Sequence, residues 1–155
     1  MATYYGANAT KRANQAIPAL IGPGEVAGRL RVAYDSFALS ADLVGGTDTI
    51  RMMTLPAGAR VHNVQLYFDD LDASGGTLNV GWEASADAVE SASAAGFLSA
   101  VDVTSAGLVD MVDDQPTVAG MFKQFSAPVQ VTIAPSGDTD ATSGNIKLAV
   151  FYTTD

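Results

Sequence analysis

Cysteine is absent from this 155-residue chain, which excludes a disulfide framework, a thiolate metal site and a cysteine nucleophile. Histidine occurs once, at His62, so any histidine-dependent catalysis would rest on that one residue. Charged residues make up only 16% of the chain, against about 25% in typical soluble domains. Basic residues are the scarcer sign, with eight Lys and Arg against seventeen Asp and Glu. Nucleic-acid binding depends on clustered Lys and Arg that neutralise phosphates, so nucleic acid is not expected as a partner. No run approaches the roughly 18 consecutive apolar residues of a membrane span, and the opening "MATYYGANATKRANQ" lacks the apolar core of a signal peptide. The expectation is a soluble protein, not conventionally secreted, with no membrane partner. No internal repeat of fixed period is visible, which argues against a propeller or solenoid.

What is present favours strands. The hydrophobic share is 48%, too high for intrinsic disorder, and the chain is rich in small residues suited to tight turns. Its length fits one domain, in which roughly 68 to 70% of the unfolded surface can be buried. The net charge of −9 is uneven: residues 1 to 60 carry six basic and four acidic side chains, and residues 61 to 155 carry two basic and thirteen acidic. The plainer reading of this asymmetry is a solvated acidic surface. The sharper alternative is a mildly basic arm that docks on an acidic neighbour.

Residues 1 to 27 show neither helical nor strand periodicity, and Pro18, Gly22, Pro23 and Gly24 punctuate "AIPALIGPGEVAG". They read as an extended arm with an apolar anchor at Ile17, Leu20 and Ile21. Residues 28 to 155 read as a single sandwich domain. In "GRLRVAYDSFALS", Leu30, Val32 and Tyr34 share one parity, whereas Phe37 and Leu39 take the other. A β-bulge near Asp35 and Ser36 would return both sets to one core. The same device is expected at His62 and Asn63, where Val61 has one parity and Val64, Leu66 and Phe68 the other. Further strands are predicted over "DTIRMMTLP", "TLNVGWE" with Leu78, Val80 and Trp82 inward, "PVQVTIA" with Val129, Val131 and Ile133 inward, and "GNIKLAVFYTT" with Ile146, Leu148, Val150 and Tyr152 inward. Weaker strands are expected at Leu108 to Val112 and at Met121 to Phe125. "SADAVESASAA" reads as a loop with room for a short helix, packing Phe97 and Leu98 against the sandwich edge. Seven or eight strands and no long amphipathic helix give an all-β fold: a jelly-roll-like antiparallel β-sandwich with an extended N-terminal arm.

The residues give catalysis little to work with. A Ser-His-Asp site needs a histidine that reaches a nucleophile and a carboxylate, but His62 lies inside a predicted strand and no "GxSxG" occurs. Glu25, Glu83 and Glu90 fall in an arm, a strand and a loop, so nothing selects a glycosidase pair. Asp69, Asp70 and Asp72, Asp110, Asp113 and Asp114, and Asp138 and Asp140 form acidic loop clusters, yet none matches an EF-hand. The glycines of "GPGEVAG" come without the Lys and Ser or Thr of a phosphate loop. Neither an enzyme nor a cofactor is expected. Trp82 alternates with Leu78 and Val80, which puts it in the core rather than on a sugar platform, whereas Tyr4 and Tyr5 in the arm suit a protein interface.

The phrases "GRLRVAYDSFAL", "LPAGARVHNVQLYFDD", "GGTLNVGWEAS" and "GNIKLAVFYTTD", behind the short polar start "MATYYGAN", resemble small structural proteins of tailed bacteriophages, of the capsid decoration (cement) or minor head protein type. That resemblance implies a virion protein made in the host cytoplasm and placed on the head surface. Its implied partners are the major capsid protein and copies of itself, with a homotrimer favoured. Contacts are then expected from Tyr4, Tyr5, Lys11, Arg12, Ile17, Leu20 and Ile21. A carbohydrate- or receptor-binding fibre module, or a tail or neck subunit, is the alternative.

Overall fold

The structure is a computed structural model that describes residues 28–72, 75–115 and 118–154. Eight strands account for most of it: β1 (Arg31–Leu39), β2 (Ile50–Leu55), β3 (Ala59–Phe68), β4 (Thr77–Trp82), β5 (Ser93–Asp102), β6 (Gly107–Asp110), β7 (Val129–Pro135) and β8 (Gly144–Thr154). One helical turn, α1 (Met111–Asp114), follows β6 and is capped by the Asp110 carboxylate, which accepts from the Val112 N–H at 2.9 Å. Two four-stranded sheets form, ordered β1-β8-β3-β6 and β2-β7-β4-β5. Every pairing is antiparallel, and β1 with β8, β2 with β7, β3 with β6 and β4 with β5 trace one long ribbon. The ribbon closes on itself where β3 meets β8 and β4 meets β7. This is the jelly roll expected from the sequence.

Period-two alternation explains the core. Val61, Val64, Leu66 and Phe68 from β3 and Ile146, Leu148 and Val150 from β8 face Leu78, Val80, Trp82, Val131 and Ile133 of the other sheet, and all are buried. The break in β3 is a bulge at His62: Val61 lies opposite Tyr152 and Asn63 opposite Phe151, so one extra residue brings Val61 and Val64 to the same side. The β2–β3 turn runs through Pro56 and Ala57 to Gly58, whose φ of 80° suits a glycine. The Ala59 N–H then donates to the Pro56 carbonyl at 3.2 Å. At the far end of β3, Asp69 ties the chain to the start of β8. It accepts from the Asn145 backbone N–H at 2.8 Å and from Asn145 Nδ2 at 3.0 Å, and these bonds hold its carboxyl below the usual range.

Three expectations fail. β1 carries no bulge at Asp35 and Ser36: its register against β8 runs unbroken from Arg31 opposite Tyr152 to Leu39 opposite Gly144. Leu39 is buried and Phe37 packs on the core, so Leu30, Val32 and Tyr34, on the other parity, face outward. The segment expected to be a loop to residue 95 becomes β5 from Ser93, and Phe97 and Leu98 are buried strand residues. β5 pairs with β4 through two register breaks, so its alternation is masked. Met121–Phe125 forms no strand. It makes one bridge, Gln124 with Arg60, and ends with Phe125 exchanging hydrogen bonds with Gly58 and Ala59.

Candidate assembly surface

The two outer faces of the sandwich differ in chemistry. On the β2-β7-β4-β5 side, Arg51 Nε meets Glu83 Oε1 at 2.9 Å, the Thr54 hydroxyl donates to Gln130 Oε1 at 2.9 Å, and Asn79 Oδ1 accepts from the Ala100 N–H at 2.7 Å. That is an ordinary solvated face. On the β1-β8-β3-β6 side, register places Val32 beside Phe151, Tyr34 beside Ala149, and Lys147 between Ser36 and Tyr67, with Tyr67 opposite Leu108. Leu30, Val32, Tyr34 and Leu108 are 61%, 55%, 62% and 60% exposed. These apolar side chains belong to the two edges of the sheet, β1 and β6, and Phe151 of β8 and Tyr67 of β3 lie between them, whereas scattered single exposures would be ordinary. Tyr34, Leu108, Tyr67 and the stem of Lys147 enclose a shallow pocket of about 170 Å³, with the Lys147 ammonium 5.1 Å from the Tyr67 ring centre. Such a face can bury aromatic and aliphatic surface against another protein.

Behind this sheet, the other singled-out residues serve the fold. His62 Nε2 is 3.0 Å from the Thr153 hydroxyl, and its ring meets Phe122 edge-on at 6.0 Å, which seats the bulge. Trp82 is buried against Phe97 and Phe125, and its Nε1 donates to the Ser91 carbonyl at 2.8 Å. It therefore offers no platform for a sugar. Glu90 is buried, ion-paired with Lys123 at 2.9 Å, and accepts from the Ser126 N–H at 2.6 Å. Those partners, the Ser126 N–H foremost, hold its carboxyl below the ordinary range.

Loop aspartates are engaged in turns and caps. Asp72 accepts from the Gly76 N–H, Asp138 from the Gly45 N–H at 2.7 Å, and Asp114 from the Asp110 N–H at 2.8 Å. Asp110 also accepts from Asn63 Nδ2 at 2.8 Å and Gln65 Nε2 at 2.9 Å. Burial works to raise the Asp110 carboxyl, but these donors outweigh it and the net shift is downward. Among the described residues, no three of His, Cys, Asp and Glu converge as metal ligands would. No helix among them is long and apolar enough to cross a membrane.

The contact residues nominated from the sequence, Tyr4, Tyr5, Lys11, Arg12, Ile17, Leu20 and Ile21, lie outside the described residues. The exposed sheet face adds Val32, Tyr34, Tyr67 and Leu108, which the sequence reading did not assign to a surface. For Val32 and Tyr34 the signal is present in the parity they share with Leu30, but an apolar stripe looks the same in sequence whether it faces a core or the outside.

No family model matches the chain, and no curated protein matches it. Solved structures do. A chain of the cyanophage Pam1 capsid asymmetric unit is similar at 27% identity and a TM-score of 0.65, over 92% of this chain and 97% of that one. A chain of the capsid of Ralstonia phage GP4 shares the fold at 22% identity and a TM-score of 0.65, over 92% of this chain and 94% of that one. Over nearly its whole length the chain is thus similar to components of phage capsids.

Proposed function

We propose that this protein is a capsid decoration (cement) protein, which binds the outside of a phage head and braces the shell through repeated contacts with the major capsid protein and with copies of itself. The observation that carries this reading is the end-to-end likeness to a cyanophage capsid chain at 27% identity. A jelly roll with one polar and one apolar outer face supports it. The polar face stays wet, and the apolar face has surface to spend on a neighbour.

In this reading residues 1 to 27 are an arm that neighbouring subunits hold. Ile17, Leu20 and Ile21 fill apolar grooves, Tyr4 and Tyr5 pack at the interface, and Lys11 and Arg12 meet carboxylates at its rim. Ordering the arm costs entropy, which the assembled lattice offsets where a free subunit cannot. Repetition then multiplies modest contacts through effective concentration. Electron cryomicroscopy of the particle that contains this protein tests the assignment: the eight-stranded sandwich is expected on the outer surface of the head, and its density in a tail, neck or fibre would overturn the assignment.

A further inference from the structure

A sheet edge is an open row of backbone donors and acceptors, and proteins that must stay single blunt it with short strands, bulges, prolines or charges. Three of the four edges here are blunted. β6 has four residues, β5 is broken twice against its neighbour, and β2 has six residues, a register break between Arg51 and Thr54, and Pro56 beyond its end. The fourth edge, β1, has nine residues, no proline and an unbroken register. Its charges are Arg31, exposed at the start of the strand, and Asp35, half-buried; both share the parity of Ala33 and Phe37. An inward charge on an edge repels an uncharged incoming strand, because pairing would strand it without a counter-ion.

A second copy of β1 removes that objection. We propose that two copies of this chain pair antiparallel along β1 about a two-fold axis at Ala33, joining their four-stranded sheets into one continuous sheet. Centring on Ala33 sets Arg31 opposite the partner's Asp35 twice, and Val32 opposite the partner's Tyr34 twice. Opposite charges and aromatic with β-branched residues are the favourable cross-strand pairs. Residues of equal parity meet, so inner faces stay inner and the exposed apolar stripes of the two copies join into one surface. Centring on Asp35 would oppose two carboxylates. Centring on Tyr34 would leave Arg31 facing Phe37 and Asp35 facing Ala33. Only the Ala33 axis matches both charges of β1 with each other.

One local feature fits this pairing. The Asp35 carboxylate accepts from the Ser36 N–H at 2.8 Å. Pairing would hand that N–H to the partner backbone and release the carboxylate to the partner's Arg31. Self-pairing along β1 is independent of where in a particle the protein sits.

Sedimentation of the full-length chain, with circular dichroism melts to verify folding, gives the test. The wild type is expected at twice 15.9 kDa. Arg31→Asp and Asp35→Arg should each weaken association about tenfold, since each sets like charges across the axis twice, and the double reversal should restore it. Because the chain has no cysteine, Ala33→Cys reports register directly. It should oxidise to a covalent dimer, because directly opposed residues approach within disulfide range, whereas Asp35→Cys should not. A monomer at millimolar concentration, an association indifferent to both charge reversals, or an Ala33→Cys variant that fails to cross-link would each overturn the proposal.

Discussion

The Glu90 carboxylate, buried beneath the loop after β4, meets the Lys123 ammonium at 2.9 Å, and that ammonium in turn lies 5.1 Å from the Phe125 ring centre and 5.7 Å from that of Trp82. A buried charge is tolerated only when it is paired and hydrogen-bonded. The pair therefore fastens two irregular segments, 83–92 and 118–128, over the aromatic end of the core. Glu90→Gln keeps an acceptor for the Ser126 N–H but leaves Lys123 without its counter-charge. The expected loss is about 1 to 3 kcal/mol, read from urea unfolding, because one partner of a paired charge is stranded.

The same pair gives a pH dependence of known sign. The Ser126 N–H and the Lys123 ammonium hold the Glu90 carboxyl below the ordinary glutamate range, so the folded protein releases that proton more readily than the unfolded chain does. Its contribution is complete above the unfolded value and is lost as pH falls through the folded one. Melting temperature measured from pH 7 down to pH 3 should drop more steeply in the wild type than in Glu90→Gln below about pH 4.5. Parallel slopes in the two proteins would contradict a role for this carboxylate.

Packing at the neighbouring aromatic cluster leaves no room for a methyl group. Gly96 lies against the Trp82 ring, where a Cβ would overlap ring carbons, and the Gly120 N–H donates to the Gly96 carbonyl at 2.6 Å. Trp82 cannot retreat, because Phe97 and Phe125 pack on it with ring centres 4.9 Å and 5.1 Å away. Gly96→Ala is therefore expected to cost about 1 to 3 kcal/mol, the range for overpacking, with a changed near-ultraviolet signal from the tryptophan. Full stability in denaturant would show that the cluster is looser than these distances imply.

His62 shows where a strand could be read from sequence and where it could not. In β3 both parities are buried, since Val61 and Val64 are each fully inside, so the slip in the pattern had to be an added residue. β1 presents the same slip, Tyr34 to Phe37, yet only its second half is inside. Parity counts apolar residues and cannot say what will cover them, so an outward-facing stripe looks like a second core stripe. β5 is hidden in the sequence for a different reason: "SASAAGFLSAV" is mostly small side chains, and its two register breaks remove any regular period. The jelly-roll order itself depends on which strands meet across long sequence separations, β1 with β8 above all, and local patterns do not carry that. Of the candidate contact surface, the arm was nominated by its lack of pattern, while Tyr67 and Leu108 became visible only when β3 and β6 were set side by side.

Deleting His62 and replacing it should therefore have very different effects. His62→Ala removes the 3.0 Å contact with Thr153 and the edge contact with Phe122, and is expected to cost about 1 kcal/mol. Deletion removes the bulge. Either Val61 or the set from Val64 to Phe68 must then turn outward, since one residue of slip exchanges the two faces. Burying a Val, Leu or Phe side chain is worth about 1.5 to 3 kcal/mol each, so turning out Val61 forfeits about that much and turning out Val64, Leu66 and Phe68 about 4.5 to 9 kcal/mol, a large share of the typical total of about 5 to 15 kcal/mol for a small domain. The deletion variant should therefore melt well below both the wild type and His62→Ala. A cooperative transition within a few degrees of the wild type would mean that β3 can re-register.

Leu108 separates folding from assembly. It is 60% exposed and lies opposite Tyr67 on the apolar outer face, so it can contribute to a contact without contributing to the core. Leu108→Ser should leave the free protein within about 0.5 kcal/mol of the wild type, as surface changes do. If the proposed decoration role runs through this face, the same change removes an apolar group from a patch that would exclude water, and truncating a central interface residue costs at least about 1 to 2 kcal/mol. Because the contact repeats over the shell, its loss is multiplied: retention of the variant on purified particles should fall at least tenfold relative to the wild type, measured by co-sedimentation. An Arg51→Ser variant on the opposite, polar face should be retained like the wild type, since its exposed pair with Glu83 is worth little. If instead Arg51→Ser releases the protein and Leu108→Ser does not, the faces have been assigned the wrong way round, and the shell lies against β2-β7-β4-β5.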